Sequence, residues 1–258
     1  MRDAVEGGWD AKRVLYAVLG LQLVMAGLLA GSDLLGALPR IAWPSGAPGM
    51  DSPVVPGDQT RRYSPRDTPL PPRGPGAPER PYRNTGDMPN RLEFVREGTL
   101  LRLTGSIAPG DAARLAERLE AEAGLELVAL NSPGGSVRDA LTIGRSIRAA
   151  ELATVVEGGD VCFSACPYLL AAGTQRSAGE GAQVGVHQHY FGKNTVLPAF
   201  LAVEDIQRGQ GEVMEYLGDM DVDIRLMRPA LATGPDDIYV LLPEELLEYR
   251  LVTEGGDG

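Results

Sequence analysis

The most hydrophobic part of the chain is an uninterrupted run near its N-terminus. Residues 14–32, VLYAVLGLQLVMAGLLAGS, contain no charged side chain. Nineteen helical residues extend about 28 Å, which is close to the thickness of the hydrocarbon core of a bilayer. A buried helix rarely stays apolar on every face over this length, so the pattern predicts a transmembrane anchor over 14–32. A cleaved signal peptide is the alternative, with GLLAGS as a weak cleavage site.

The charges beside this run predict its orientation. Arg2, Lys12 and Arg13 precede it, and only Arg40 follows closely. Under the positive-inside rule, residues 1–13 form a cytoplasmic N-terminus. The sequence therefore predicts a single-pass protein of the inner (cytoplasmic) membrane whose C-terminal part is extracytoplasmic, in a periplasm-like compartment where disulfides persist.

The next segment has no hydrophobic period. Twelve of the 20 prolines lie between Trp43 and Asn90, mixed with Gly, Ser, Arg and Asp. Such a composition buries too little apolar surface to fold and favours extended, stiff chain. We therefore expect a Pro-rich disordered linker over 33–90.

From residue 91 the hydrophobic pattern becomes that of a folded domain, which we place over 91–258. LEFVREG and TLLRLTGSI predict two strands joined by a turn at Gly98. Further strands are predicted at LELVAL, LATVVEGG, AQVGVHQHY and IYVLL, and helices at PGDAARLAERLEAEAG, RDALTIGRSIRAA, SACPYLLAAG, 198–217, 222–231 and PEELLEYRL. Alternating strands and helices predict an α/β fold with a mostly parallel sheet.

Charge and composition exclude some functions. The net charge is -11, and no basic patch offsets it, so we expect no nucleic-acid partner. Cys162, Cys166, His187 and His189 are the cysteines and histidines of the chain. The two histidines are one strand step apart, unlike the ligands of a zinc finger, and we expect no metal site.

Ser164 lies between the two cysteines in VCFSACPYLLAAG, after a strand and loop and in the first turn of the predicted helix. One interpretation is an ordinary N-cap. The other is a nucleophile, because the N–H of Ala165 and the positive end of the helix dipole could stabilise an oxyanion. In an oxidising compartment Cys162 and Cys166 are a candidate disulfide across this turn, provided that their Cα atoms lie within about 7 Å.

Two other motifs could complete such a site. In SPGGS, Gly134 and Gly135 follow a strand and can adopt conformations closed to other residues, so their backbone could approach a ligand. His187 lies on a later strand, and its unperturbed pKa near 6.5 suits a base that deprotonates serine. His189 points to the same face.

Taken in order, LNSPGGSV, CFSACPYLLAAG, VGVHQ and LLPEELLEYRLV resemble the proteolytic subunit of Clp protease and its relatives of the ClpP/crotonase fold. The resemblance covers residues 92–252 and implies a mostly parallel sheet built from ββα repeats. It implies a serine endopeptidase with Ser164 as nucleophile and His187 as general base. By the same resemblance Gly134 and Gly135 form the oxyanion loop, and Ala165 supplies the second N–H.

The resemblance further implies that no cofactor is needed, that the substrate is a peptide or an unfolded protein, and that the chain forms a homo-oligomer. It leaves the third catalytic residue open. Thr233 stands where the family has its acid, with Asp236 and Asp237 just after it. One of these aspartates could orient His187, the site could be a Ser–His dyad, or the protein could be a catalytically degenerate binding or scaffold protein. Lys193 is a remote alternative base.

Overall fold

The computed structural model describes residues 11–42, 46–50, 53–73, 81–189 and 199–253. These residues form a mixed α/β structure with parallel strands and an apolar N-terminal helix, which confirms the predicted α/β class. The chain divides into two compact units, Met1–Gly46 and Ala47–Gly258.

The first unit contains one helix, α1 Ala11–Ala42. Its segment Ala11–Leu29 has a mean hydropathy of 1.5 and exposes its side chains, so the helix is long and apolar enough to cross a bilayer. A signal sequence would have the same properties at this end of a chain, and both interpretations stay open. The helix continues beyond the predicted end at Ser32. Residues 1–10, including Arg2, lie outside the described residues.

The second unit carries the remaining elements. Its strands are β1 Thr60–Arg62, β2 Glu93–Glu97, β3 Leu100–Thr104, β4 Leu127–Asn131, β5 Ala153–Val156, β6 Val161–Phe163, β7 Arg176–Ala178, β8 Gln183–Val186 and β9 Asp237–Val240. Its helices are α2 Asp111–Ala121, α3 Val137–Ala149, α4 Cys166–Ala171, α5 Ala199–Asp219, α6 Met227–Ala232 and α7 Pro243–Glu248.

One sheet has five strands in the order β2-β3-β4-β5-β7. The β2–β3 hairpin is antiparallel and turns at Gly98, as predicted, and the other pairs are parallel. Helices α2 and α3 connect the successive parallel strands, which is the arrangement that alternating strand and helix patterns favour. Strand β7 is an element that the hydrophobic pattern did not predict.

A second sheet of four strands has the order β1-β9-β8-β6. Only β6 and β8 pair in parallel, and β9 is antiparallel to both of its neighbours. The expectation of a mostly parallel sheet therefore holds for the first sheet and is wrong for the second. Ser132, just after β4, forms a parallel bridge with Cys162 of β6, so the loop after β4 runs beside the second sheet.

The main core lies between the five-stranded sheet and its helices. Four side chains of this core are at most 1% exposed: Leu103 of β3, Leu130 of β4, Ile143 of α3 and Leu169 of α4. Each such side chain stabilises the fold by about 1.5–3 kcal/mol relative to leaving it in water. This core holds β4 and α4, the elements that precede and follow the candidate site residues.

The prediction of a disordered linker over 33–90 is wrong for most of the residues described there. Strand β1 pairs with β9, and α1 occupies the beginning of the segment. Side chains from this segment enter a second apolar cluster, whose buried members are Met50, Tyr63, Met88, Val161, Phe163, Ile238 and Val240. Pairing with a distant strand supplies the apolar contacts that local composition lacks. Residues 43–45, 51–52 and 74–80 lie outside the described part of the chain.

Two polar side chains of the same segment, Gln59 and Arg61, are buried and hydrogen-bonded to other residues. Gln59 donates from its amide nitrogen to the Tyr239 hydroxyl at 2.6 Å and to Glu245 at 2.7 Å. Arg61 is fully buried; it donates to the Pro53 carbonyl at 2.9 Å and pairs with Asp58 at 3.2 Å. Buried polar groups are tolerated only when paired in this way, so the upstream strand is an integral part of the unit.

The loop that carries SPGGS is held by the caps of two helices. Ser136 caps α3 by accepting from the Asp139 N–H, and its hydroxyl donates to the Asp139 carboxylate at 2.6 Å. The same carboxylate accepts from the N–H of Gly110 at 2.8 Å, at the start of α2. Asp139 therefore links the N-termini of α2 and α3 beside the SPGGS loop.

Candidate active site

Ser164 lies on a sharp turn between β6 and α4. Its φ is +60°, one of four positive values at non-glycine residues in the described chain. That conformation is unfavourable for serine and is concentrated at functional sites. Its N–H donates to the Gly185 carbonyl of β8 at 3.0 Å, which holds the turn against the neighbouring strand.

The N-cap interpretation of Ser164 is wrong. Helix α4 begins at Cys166, and its N-cap is Ala165, without a side-chain capping bond. Ser164 therefore precedes the helix rather than standing in its first turn. Its hydroxyl is directed to a histidine instead of a backbone N–H.

The structure brings Ser164 and His187 together. Ser164 Oγ and His187 Nε2 are 2.8 Å apart. The register of the second sheet explains this, because Phe163 of β6 pairs with Gly185 of parallel strand β8. The residues that follow both strands therefore emerge at the same edge, and a 23-residue separation in sequence becomes a hydrogen bond. His187 follows β8 rather than lying on it.

His187 is buried, and its environment favours the neutral ring. Burial lowers the pKa of His187 below 6.5, and the backbone near Gly234, Pro235 and Asp237, with the charge of Asp236, opposes this only in part. A neutral imidazole that accepts from Ser164 at Nε2 carries its proton on Nδ1. The Nε2 of the neutral ring can therefore accept the serine proton at neutral pH.

Neither predicted aspartate hydrogen-bonds His187 Nδ1 in the described part of the chain. His187 Nδ1 is buried and has no hydrogen-bond partner among the described residues. Asp236 is exposed at the cleft, and Asp237 begins β9 opposite Arg62. The expectation that Asp236 or Asp237 orients His187 by a hydrogen bond is therefore wrong in this structure.

Thr233 does not replace the carboxylate. Its hydroxyl donates to the Pro229 carbonyl at 2.9 Å, within the last turn of α6, and its side chain is buried there. Its carbonyl accepts from the Gln188 N–H at 3.0 Å, so Thr233 supports the residue next to His187 through its backbone alone.

Two backbone N–H groups beside Ser164 have no acceptor in the described chain, those of Gly135 and Ala165. The N–H of Gly134 is already used, since it donates to the Ser132 hydroxyl at 3.1 Å. Of the two predicted glycines, Gly135 is therefore the candidate oxyanion donor. Two free donors at one nucleophile are the arrangement that stabilises a tetrahedral oxyanion.

Gly134 has a different role, which is close packing. A Cβ at this position would lie 2.6 Å from the Ser164 Cβ and 2.9 Å from the Ala165 nitrogen. Its positive φ of 95° is a second reason for glycine. The absent side chain lets the SPGG loop lie directly against the nucleophile turn.

The two cysteines form a disulfide that spans this turn. The Cα atoms of Cys162 and Cys166 are 5.0 Å apart, and both residues are fully buried. One cysteine lies in β6 and the other is the first residue of α4. The bond therefore joins the two elements between which Ser164 is held.

A cleft of about 420 Å³ opens at these residues. Four predicted site residues line it, together with apolar groups that include Val137 and Pro235: Ser164, His187, Gly134 and Gly135.

His189 also lines the cleft, and its Nε2 lies 2.5 Å from the Tyr168 hydroxyl. Burial, followed by the charge of His187, lowers the pKa of His189 to about 4, so it is neutral when the site operates.

Sequence reasoning missed Tyr63, which forms a wall of this cleft. Its ring contacts that of His187, with centroids 5.4 Å apart. The available signal was weak: residues 57–64, GDQTRRYS, are a short stretch without proline inside the Pro-rich segment. Lys193, the alternative base, lies outside the described residues.

No protein-family model matches the chain, and no curated protein is significantly similar to it.

Proposed function

We propose that this chain is a membrane-anchored serine endopeptidase with a ClpP/crotonase-like fold. The observation that carries the proposal is the 2.8 Å contact between Ser164 Oγ and His187 Nε2 at a strained strand-to-helix turn. A serine in an unfavourable backbone conformation, bonded to a buried neutral histidine, has the geometry of an activated nucleophile. The resemblance of four motifs to the Clp proteolytic subunit supports the same reaction and fold.

The residues present account for each step of acyl transfer. Ser164 Oγ attacks the carbonyl carbon of the scissile peptide bond while its proton moves to His187 Nε2. The carbonyl oxygen becomes an oxyanion that accepts hydrogen bonds from Gly135 and Ala165. His187 then gives the proton to the departing amine as the C–N bond breaks. Water, deprotonated by His187, hydrolyses the ester and releases Ser164.

The missing carboxylate contact predicts a slow enzyme. When the aspartate of a Ser–His–Asp triad is neutralised, kcat falls by about 10⁴, because the histidine is held in the wrong tautomer. Covalent labelling of Ser164 is therefore a more sensitive test than turnover. The open, largely apolar cleft favours extended peptides or unfolded proteins as substrates.

We further propose that α1 anchors the protein with the second unit outside the cytoplasm. The positive charges before the helix and the disulfide in the second unit both support this, since disulfides persist in oxidising compartments. A homo-oligomer is proposed on the family resemblance alone.

The test is labelling of the full-length protein in detergent with a fluorophosphonate. We expect a covalent adduct on Ser164, located by mass spectrometry of peptides, and hydrolysis of quenched fluorogenic peptides. Ser164→Ala should abolish both signals. Ser146→Ala is the matched control, because Ser146 lies on α3, away from the cleft residues, and its hydroxyl donates to the Thr142 carbonyl at 3.2 Å.

Absence of the adduct, under conditions in which a known serine hydrolase reacts fully, would reject the peptidase. Labelling that persists in Ser164→Ala would reject the assignment of the nucleophile.

A second candidate is a binding or scaffold protein that has lost catalysis. The unpartnered Nδ1 of His187 favours it, because a buried polar group without a partner is unfavourable unless function or relaxation compensates. Full complementation of a deletion phenotype by Ser164→Ala would support the scaffold, whereas loss of complementation would support the enzyme.

A further inference from the structure

Three parts of the candidate site meet at one side chain that comes from the upstream segment. Tyr63 is 4% exposed and follows β1. Its ring contacts Phe163, the residue before the nucleophile, with centroids 5.6 Å apart, and His187 with centroids 5.4 Å apart. Its hydroxyl donates to the carbonyl of Pro133, the residue before Gly134.

We propose that Tyr63 is a positioning residue, which orients His187 and the oxyanion loop where no carboxylate does so. The inference rests on the proposed function, because positioning has a catalytic meaning only if Ser164 is a nucleophile. By this proposal, the segment before residue 91 contributes Tyr63 to the active site.

The orientation of His187 requires such a contact. Its Nδ1 makes no hydrogen bond in the described chain, so only Nε2 and packing determine the rotation of the ring. The rings of Tyr63 and His187 are nearly perpendicular, at 85°, an arrangement that aromatic pairs prefer. A rotated imidazole would lose both this ring arrangement and its contact with Ser164 Oγ.

Tyr63 is itself held from both sides. Its N–H donates to the Asp236 carbonyl at 3.0 Å, and β1 pairs with β9 directly before it. The loop that carries Asp236 also carries the backbone groups nearest to His187. One main-chain bond and one hydroxyl bond therefore place the ring between the base and the SPGG loop.

The hydroxyl and the ring have separable tasks. The hydroxyl reaches Pro133 and so supports the loop that presents the N–H of Gly135. The ring covers His187 and contributes to the burial that keeps its pKa low. Removing the hydroxyl alone should disturb the oxyanion loop, while removing the ring should also disturb the base.

The experiment compares Tyr63→Phe and Tyr63→Leu with wild type, using full-length protein in detergent. Met88→Ala is the matched control, since Met88 is buried in the same cluster but does not line the cleft. The first readout is the second-order rate of fluorophosphonate labelling between pH 5 and 8, per folded molecule. The second is the titration of the histidine rings by NMR with labelled histidine, which two histidines make simple to assign.

We expect Tyr63→Leu to slow labelling by about tenfold, as the loss of an aromatic pair would. We also expect it to move the His187 pKa towards 6.5, because water reaches the ring. Tyr63→Phe should slow labelling about threefold, with the His187 titration unchanged, as loss of one neutral hydrogen bond would. Met88→Ala should change neither readout.

Labelling and titration in Tyr63→Leu that equal those of Met88→Ala would overturn the inference and make Tyr63 a core residue only. If Tyr63→Leu does not fold, Tyr63→Phe tests the hydroxyl, and a wild-type labelling rate would overturn the proposed support of the oxyanion loop. If wild type is not labelled, the peptidase proposal fails on its own, and the NMR titration still tests whether Tyr63 orients His187.

Discussion

Ser164 and Gly134 lie in close contact, and each has a backbone conformation with positive φ. Ser164 takes a positive φ, which costs an L-residue of order 1–3 kcal/mol. Gly134 leaves the space in which the serine Cβ fits. The strain is maintained by the hydrogen bond to Gly185 and by the pairing of β6 with β8. The side chain of Ser164 is directed to His187, with its Oγ 2.8 Å from the His187 Nε2.

The pH dependence of labelling follows from the burial of His187. Only the neutral ring accepts the serine proton, and burial lowers the pKa of His187 below 6.5. The rate should therefore be maximal at pH 7 and should fall as the pH decreases through a midpoint below 6.5. The measurement is the fluorophosphonate labelling rate of wild type across this range.

Asp236→Asn supplies the comparison for this midpoint. The charge of Asp236 raises the pKa of His187, so its removal should move the midpoint to still lower pH. A midpoint at or above 6.5 would contradict the burial of a neutral His187 as the base.

At the scale of elements, the site lies where three strand ends meet. β4 leads into the SPGG loop, β6 into the nucleophile turn and β8 into His187. The bridge between Ser132 and Cys162 aligns the first two, and the parallel pairing of β6 and β8 aligns the last two. Ligands of α/β proteins commonly bind at the carboxyl ends of strands, and the cleft opens there.

The disulfide between β6 and α4 should stabilise this arrangement. It closes a loop of only five residues, for which the chain-entropy estimate is about 2 kcal/mol. We expect the double variant Cys162→Ala, Cys166→Ala to lose about 4–8 °C in Tm, measured by thermal unfolding of the full-length protein. Either single substitution breaks the same bond and should lower Tm to a similar extent.

Labelling of Ser164 should also slow in this double variant, because the turn gains conformations. An unchanged Tm together with an unchanged labelling rate would show that the bond does not support the turn.

At the scale of the molecule, the second unit begins well before the residues whose pattern predicted a domain. The apolar cluster around Tyr63 joins Met50 and Met88 to Val161, Phe163, Ile238 and Val240. Strand β1 closes the edge of β9, which would otherwise be exposed. The upstream residues are therefore part of the fold that supports the site.

A truncation series tests this boundary. A chain that begins at Ala47 should fold without detergent and retain Ser164 labelling. A chain that begins at Arg91 should aggregate or label at least about tenfold more slowly, because it exposes one side of the second sheet and lacks Tyr63. The measurements are size-exclusion chromatography and labelling rate, and equal behaviour of the two chains would contradict the structure.

The sequence by itself determined the features that depend on neighbouring residues. The apolar run forms α1. The alternation of strand and helix patterns corresponds to the five-stranded sheet with α2 and α3. The order of Gly134–Gly135, Ser164 and His187 along the chain indicated one site. These follow from local periodicity and from the residue types that a turn or a base requires. The pairing of Ser164 with His187 was expected from the resemblance to the Clp proteolytic subunit, whereas the hydrophobic pattern alone placed His187 on a strand.

Only the tertiary structure decided the rest, because it depends on contacts between residues far apart in the chain. Tyr63 reaches Pro133 across 70 residues, and Gln59 reaches Tyr239 across 180. Proline-rich composition correctly signals weak local structure, yet β9 supplies the partner strand that orders β1. Likewise, the position of Asp236 in sequence suggested contact with His187, whereas the path of the backbone into β9 leaves that carboxylate in solvent and an aromatic ring beside the base.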